Sequence, residues 1–126
     1  MSTRVSKSFL GKNASRFPVV PAIERTFEGR VFDSKLEMMR WATLSLWQKA
    51  GMICELTYHP KYEVFINGIR VLVYTADSKY RDPKTGAWTV EDVKSKGMGG
   101  TGGSEFRLRK RLVEAFHGIE ITVVEK

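Results

Sequence analysis

Two carboxylates and an ammonium stand at the ends of neighbouring apolar segments. Asp77 follows Val71, Val73 and Thr75, and Asp92-Val93-Lys94 closes the segment that begins at Trp88. Side chains alternate along a strand, so Asp92 and Lys94 point one way and Val93 the other. Glu91 shares the Val93 face and is not chosen as a ligand. Two carboxylates held together without a cation repel each other. A divalent metal removes the conflict, and magnesium suits oxygen ligands and phosphate substrates. Beside a metal-bound water and a phosphate, the Lys94 ammonium orients the nucleophile and stabilises developing negative charge. This chemistry hydrolyses phosphodiesters. Plainer readings stand next to it: each acid can be a strand end turned to water, and Asp92 with Lys94 an exposed ion pair of little worth.

Glu37 has two readings. Ser34 and Glu37 have capping-box spacing, which folds the carboxylate back on the helix start. Alternatively, Glu37 projects from the first helix toward the strand ends as a further acidic contact. His59 and His117 lack ligand spacing. His117 suits a helix end beside Gly118, and His59, before Pro60, reads as an ordinary residue close to the site. Gly-Met-Gly-Gly-Thr-Gly-Gly at 97–103 lacks the Gly-Lys-Ser/Thr ending of a P-loop. It reads as a flap over a bound strand in preference to a plain linker. Trp41, Trp47 and Trp88 read as core or interface anchors before base-stacking platforms.

These residues need particular elements to position them. Residues 1–25 have no sustained period and read as a basic arm, with one domain over 26–126. Thr26 to Phe32 suits a short strand with Gly29 at a turn or bulge. A helix begins at Asp33 or Ser34, with Leu36, Met39, Thr43, Trp47 and Ala50 along its apolar face, widened by Trp41 and Leu44, and Gly51 at its end. Leu56 to Tyr58 leads to Pro60. Tyr62 to Ile66 and a long strand Ile69 to Tyr80 form an antiparallel hairpin across Asn67-Gly68, the preferred type I′ turn. Trp88 to Lys94 is the third strand. Ser104 caps a second helix that Gly118 stops, and Ile119 to Val124 is the last strand. The order is helix, three strands, helix, strand.

The chain has 126 residues, 42% of them hydrophobic, enough for one domain with its own core. Its single cysteine, Cys54, reads as a small buried hydrophobe in a reducing compartment. No apolar run approaches the roughly 18 residues of a membrane span. The start MSTRVSKSFLGKN lacks the apolar core of a signal peptide, so a cytoplasmic protein is expected. The net charge is +7, with a pI near 9.7. Arg107, Arg109, Lys110 and Arg111 lie nearly in a row on the second helix, and more basic residues lie within 1–30. Basic regions around an acidic constellation favour a nucleic-acid partner.

Glu37, Asp77 and Asp92-Val93-Lys94, in that order along the chain, resemble the PD-(D/E)xK nuclease superfamily. More narrowly, FDSKLE, HPKYEV, YTAD, VEDVK and EFRLRKRL look like a family of small phage and prophage nuclease-like proteins, akin to Holliday-junction resolvases. The likeness covers roughly residues 27–126. It implies an α/β, restriction-endonuclease-like αβββαβ core, a mixed central sheet flanked by helices. It further implies that Asp77 and Asp92 ligate magnesium or manganese with the Val93 carbonyl, that Lys94 positions the attacking water, and that Glu37 completes the acidic cluster. Lys96, Arg107, Arg109, Lys110 and Arg111 would contact DNA phosphates, which give affinity and salt dependence but not sequence choice. Two departures stand out: Ala76 replaces the proline of the PD motif, and the glycine-rich insertion follows Lys94.

Nothing in the chain resembles a base-reading module. The expectation is therefore a metal-dependent endonuclease selective for branched DNA, in phage recombination or DNA processing. By analogy with resolvases it is a homodimer, in the host cytoplasm if phage-encoded. The alternative is a non-enzymatic nucleic-acid-binding protein on the same scaffold. A third reading is a small interaction factor for a host enzyme.

Overall fold

Ser34 starts the first helix, α1 (Lys35–Lys49), by accepting the Glu37 N–H on its hydroxyl oxygen at 3.1 Å. Gly51 ends it in the left-handed region at φ +80. There Gly51 N–H reaches the Gln48 carbonyl at 3.0 Å and Met52 N–H the Trp47 carbonyl at 2.9 Å, a Schellman closure. The computed structural model describes residues 20–95 and 103–125. Residues 1–19 of the expected arm, Lys96, and the glycine-rich run up to Gly102 lie outside the described residues. Residues 20–25 pack on the domain: Arg25 donates to the carbonyls of Val20, at 2.9 Å, and Phe32.

A tight hairpin, β1 (Thr26–Phe27) and β2 (Arg30–Val31), precedes α1. Its turn residues Glu28 and Gly29 both have positive φ. Five strands follow: β3 (Cys54–Tyr58), β4 (Lys61–Ile66), β5 (Ile69–Thr75), β6 (Ser78–Arg81) and β7 (Trp88–Lys94). Then come α2 (Gly103–His117) and β8 (Ile121–Glu125). The molecule is thus a small α/β protein with two helices and a mixed sheet. The four-stranded sheet runs β3-β6-β7-β8, antiparallel at the first two junctions and parallel at the last. β4 and β5 form a separate antiparallel ladder across Asn67-Gly68, whose φ values of +51 and +79 suit the expected type I′ turn.

The expected long strand Ile69 to Tyr80 breaks at Ala76-Asp77, and a strand before Pro60 joins the sheet. The opposite chain breaks at the same level, at His59-Pro60. Ala76 N–H bonds the Pro60 carbonyl at 3.0 Å, and His59 N–H the Asp77 carbonyl at 3.1 Å. Two strands therefore make one long ribbon bent in the middle, with β4–β5 beyond the bend and β3–β6 within the sheet. His59 absorbs the bend at φ +49, a costly conformation for a residue with a Cβ. Such interruptions re-aim side chains, and these re-aim His59 and Asp77.

The helices cover opposite faces of the sheet. Val90 packs with Val113 of α2, Ile121, Leu72, Tyr74 and Val64 in the main core. The next residue, Glu91, must point the other way, and it meets Arg40 of α1. The apolar face expected for α1 holds at Leu44, which is buried, but not at Met39, which is half exposed. The sheet-facing side of α1 carries Glu37, whose carboxylate lies near His59, and Arg40, whose partner Glu91 is buried. His117 and Arg109 of α2 bond the Glu63 and Val73 carbonyls at 2.8 and 2.9 Å, one on each strand of the β4–β5 hairpin.

Candidate active site

The bend delivers Asp77 to the middle of β7. Asp77 N–H is shared between the Glu91 carbonyl at 3.1 Å and Asp92 Oδ1 at 3.0 Å. In return Asp77 Oδ2 accepts the Val93 N–H at 2.7 Å. The two acids are thus locked together, side chain to main chain, across the sheet end. Asp92 is only 4% exposed, and its second oxygen, Oδ2, is buried without a hydrogen-bond partner.

Burial pushes the Asp92 carboxyl up to about 6, against the pull of the nearby Lys94 ammonium and the Asp77 N–H. Asp77 is raised too, first by burial. Glu37 is pushed up to about 7 by burial and then by the charges of Asp77, Asp33 and Asp92, with Lys94 opposing. Glu37 therefore senses Asp77 and Asp92, and Lys94 acts in the opposite direction on all three carboxyls. Lys94 Nζ lies 4.1 Å from the centroid of the Phe106 ring on α2. This places Lys94, with Asp92, on the α2 side of β7, and the expectation that the two share a face holds in the geometry.

Of the two readings of Glu37, only the Ser34 half of the capping box forms, and the carboxylate is not folded back on the helix start. The cap uses the backbone N–H of Glu37, so its carboxylate remains available to the cleft. There it lies 4.0 Å from His59 Nε2. His59 belongs to the cleft wall with Glu37, Asp77, Tyr58 and Val93, around a cavity of about 10 Å³, room for about one water-sized species. Asp33, Glu37 and His59 each offer a ligand atom within 4.8 Å of the others. Sequence reading passed over Asp33 as a helix start and His59 as an ordinary residue. The i,i+4 spacing of Asp33 and Glu37 is a faint signal. The bend that brings in His59 has none.

Glu91, excluded as a ligand, is 1% exposed and fully engaged. Arg40 binds it with two hydrogen bonds, Nε to Oε1 at 2.7 Å and an Nη2 bond to Oε2 at 3.1 Å, and the Tyr80 hydroxyl donates to Oε2 at 2.8 Å. It clamps α1 to the sheet.

The basic row on α2 divides. Arg107, Lys110 and Arg111 line a cavity of about 300 Å³ with Val123. Val123 is the β8 partner of Asp92, so paired strands put the two on one face. The groove thus borders the face on which Asp92 and Lys94 stand. Lys110 also pairs with Glu114 at 2.9 Å. Arg109 is separated from the groove and is spent on the Val73 carbonyl. Lys96 lies outside the described residues.

In this small α/β protein a buried acid, a half-buried acid and one ammonium thus stand beside a cationic groove. No protein-family model, curated protein or solved structure matches the chain. No helix among the described residues is long and apolar enough to cross a membrane.

Proposed function

We propose that the chain is a metal-dependent endonuclease that hydrolyses phosphodiester bonds of DNA, of the PD-(D/E)xK type. One observation carries the reading: the buried Asp92 Oδ2 without a hydrogen-bond partner, beside the half-buried carboxylate of Asp77. Buried polar atoms are nearly always satisfied. An oxygen-only donor set short of positive charge fits a hard divalent cation. The fold supports the reading as well. With β4–β5 counted as the far end of a bent ribbon, the order is helix, three strands, helix, strand, as in the αβββαβ core of that superfamily.

Asp77 and Asp92, with the Val93 carbonyl and Glu37, would hold Mg2+ or Mn2+. When bound, the ion supplies Lewis-acid activation of the phosphate and of water. Lys94 orients the attacking water and stabilises charge growing on the phosphate, its ammonium steadied over the Phe106 ring. Arg107, Lys110 and Arg111 hold backbone phosphates of the flanking DNA. These contacts read backbone shape, which favours branched DNA as substrate, in phage recombination or DNA processing. Paired incisions in a four-way junction call for two copies of the chain.

The test is cleavage of a labelled four-way junction beside a linear duplex of the same sequence, with magnesium, manganese or EDTA. Metal-dependent paired cuts in the junction are expected, lost in Asp92→Ala and Lys94→Ala while Asp92→Ala still binds. Cutting of both substrates would mark a general endonuclease. A fully active Asp92→Ala protein would overturn the mechanism. Binding without cutting in either metal would transfer the assignment to the non-enzymatic alternative.

A further inference from the structure

A second cavity, of about 490 Å³, opens between the β1–β2 hairpin and α1. Trp41 is a wall of both this cavity and the acidic cleft. The two spaces are therefore one side chain apart. Arg30 lines the cavity and lays its guanidinium 3.9 Å from the ring centroid of Tyr58, which lines the cleft, and 5.4 Å from that of Trp41. Trp41 and Tyr58 are set edge-on, with centroids 5.5 Å apart. The two rings stand nearly at right angles, at 84°, and separate the two spaces.

The polar groups around the cavity are mostly donors. Gln48 Oε1 accepts the Leu56 N–H at 2.9 Å. That bond fixes the amide orientation, so the NH2 of Gln48 remains as a donor. Ser45, Lys49 and Arg30 add further donors. The acid of the wall, Glu28, pairs with Lys49 at 3.8 Å. The volume falls within the range of small-ligand sites. An aromatic wall with donors and cations suits a flat, acceptor-rich ligand attached to phosphate. A base can reach such a recess only when it has left the helical stack.

We propose that this cavity is a nucleobase pocket, taking one unpaired base of the DNA whose backbone lies in the acidic cleft. The proposal rests on the nuclease reading of that cleft and gives it a substrate class: DNA with an unpaired base at the cut site. Trp41, which the sequence suggests is a core anchor, becomes the stacking surface.

The test compares two bulged duplexes binding to the full chain in EDTA. One carries a single unpaired thymidine, and the other an abasic spacer at the same place, so backbone shape is shared and only the base differs. The thymidine bulge is expected to bind about tenfold tighter, the scale of one base stacked on an aromatic ring. Ser45→Trp, which fills the cavity from the surface of α1, and Arg30→Ala should each erase the difference between the two bulges. Trp41→Phe, which keeps a ring there, should retain it. Equal binding of the two bulges, or a preference that survives both Ser45→Trp and Arg30→Ala, would overturn the pocket. Adding magnesium separates the two ideas. Cleavage without base preference removes the pocket alone. Base preference without cleavage in any metal keeps the pocket and removes the nuclease.

Discussion

Glu91 and Asp92 are neighbours on one strand, at 1% and 4% exposure, and they could hardly be treated more differently. Glu91 meets a guanidinium with two hydrogen bonds and a tyrosine hydroxyl. Asp92 meets one backbone N–H and leaves an oxygen bare. A single-residue step on a strand exchanges faces, so the two carboxylates serve the α1 side and the α2 side of the same sheet. One buried charge is neutralised by the protein and holds it together. The other keeps one oxygen without a hydrogen-bond partner, and it is this oxygen that the proposed metal would use. Burial alone therefore does not single out an acid for the proposed site; burial without a partner is what separates Asp92 from Glu91.

The largest expected effect breaks the satisfied side. Glu91→Gln leaves the Arg40 guanidinium, 14% exposed, without its counter-charge. Removing one partner of a buried pair costs about 3–5 kcal/mol, and urea unfolding should show a loss of that size. Asp92→Asn should do the reverse. It keeps an oxygen for the Asp77 N–H and removes a charge that burial disfavours by about two pKa units, roughly 3 kcal/mol, against about 1–3 kcal/mol for the amide NH2 left without an acceptor, so stability should rise by about 1 kcal/mol. Equal losses for the two variants would show that both acids are structural.

Much of this contrast was written in the chain, and some of it could not be. The alternation of Trp88 to Lys94, the Ser34 cap, the Gly51 closure and the Asn67-Gly68 turn are local signals, and each appears where its chemistry puts it. The break at Ala76-Asp77 is not local. Ala76, Asp77 and Ser78 are weaker strand formers than residues 69 to 75, but it is pairing with two different partners that splits the strand. His59 entered the cleft by the matching bend, against its own backbone preference. Part of the face of α1 was misread for a related reason. Hydrophobic spacing points to Leu36, Met39 and Thr43, whereas the helix is seated by Arg40, whose partner lies 51 residues away. Charges that find buried partners leave no periodic trace.

A smaller effect probes the unsatisfied side through pH. The folded carboxyls of Glu37 and Asp92 lie at about 7 and about 6, above their ordinary values of 4.5 and 3.8. Between about pH 4 and 7 the folded chain holds protons that the unfolded chain has released. Stability must then fall as pH rises through that window and be greatest below it. Magnesium should act in the opposite sense, because it competes with those protons. Thermal melts at pH 5 and pH 8 should show the metal-free protein more stable at pH 5 with respect to these groups. Magnesium at ten times its Kd should restore about 1.4 kcal/mol at pH 8 and much less at pH 5. Asp92→Asn should flatten both trends. A protein indifferent to magnesium at pH 8 would make Asp92 a buried acid and nothing more.

The smallest effect carries the same contrast, engaged against available charge, onto α2. Arg109 is committed to the Val73 carbonyl and so belongs with Glu91. Arg107 and Arg111 are exposed along the groove beside Val123 and belong with Asp92. Each phosphate neutralised releases condensed counterions, so a single lost contact lowers the slope of log K against log salt by about one. Arg107→Ala and Arg111→Ala should each do this when DNA binding is titrated between low and moderate salt. Arg109→Ala should leave the slope alone and instead cost about 1 kcal/mol of folding stability, the net worth of one hydrogen bond. The four arginines and lysines of this row are indistinguishable by composition, and only the partner each has found separates them. A slope that drops equally for Arg109→Ala would mean that its bond to Val73 yields to phosphate, and that the groove extends over the β4–β5 hairpin.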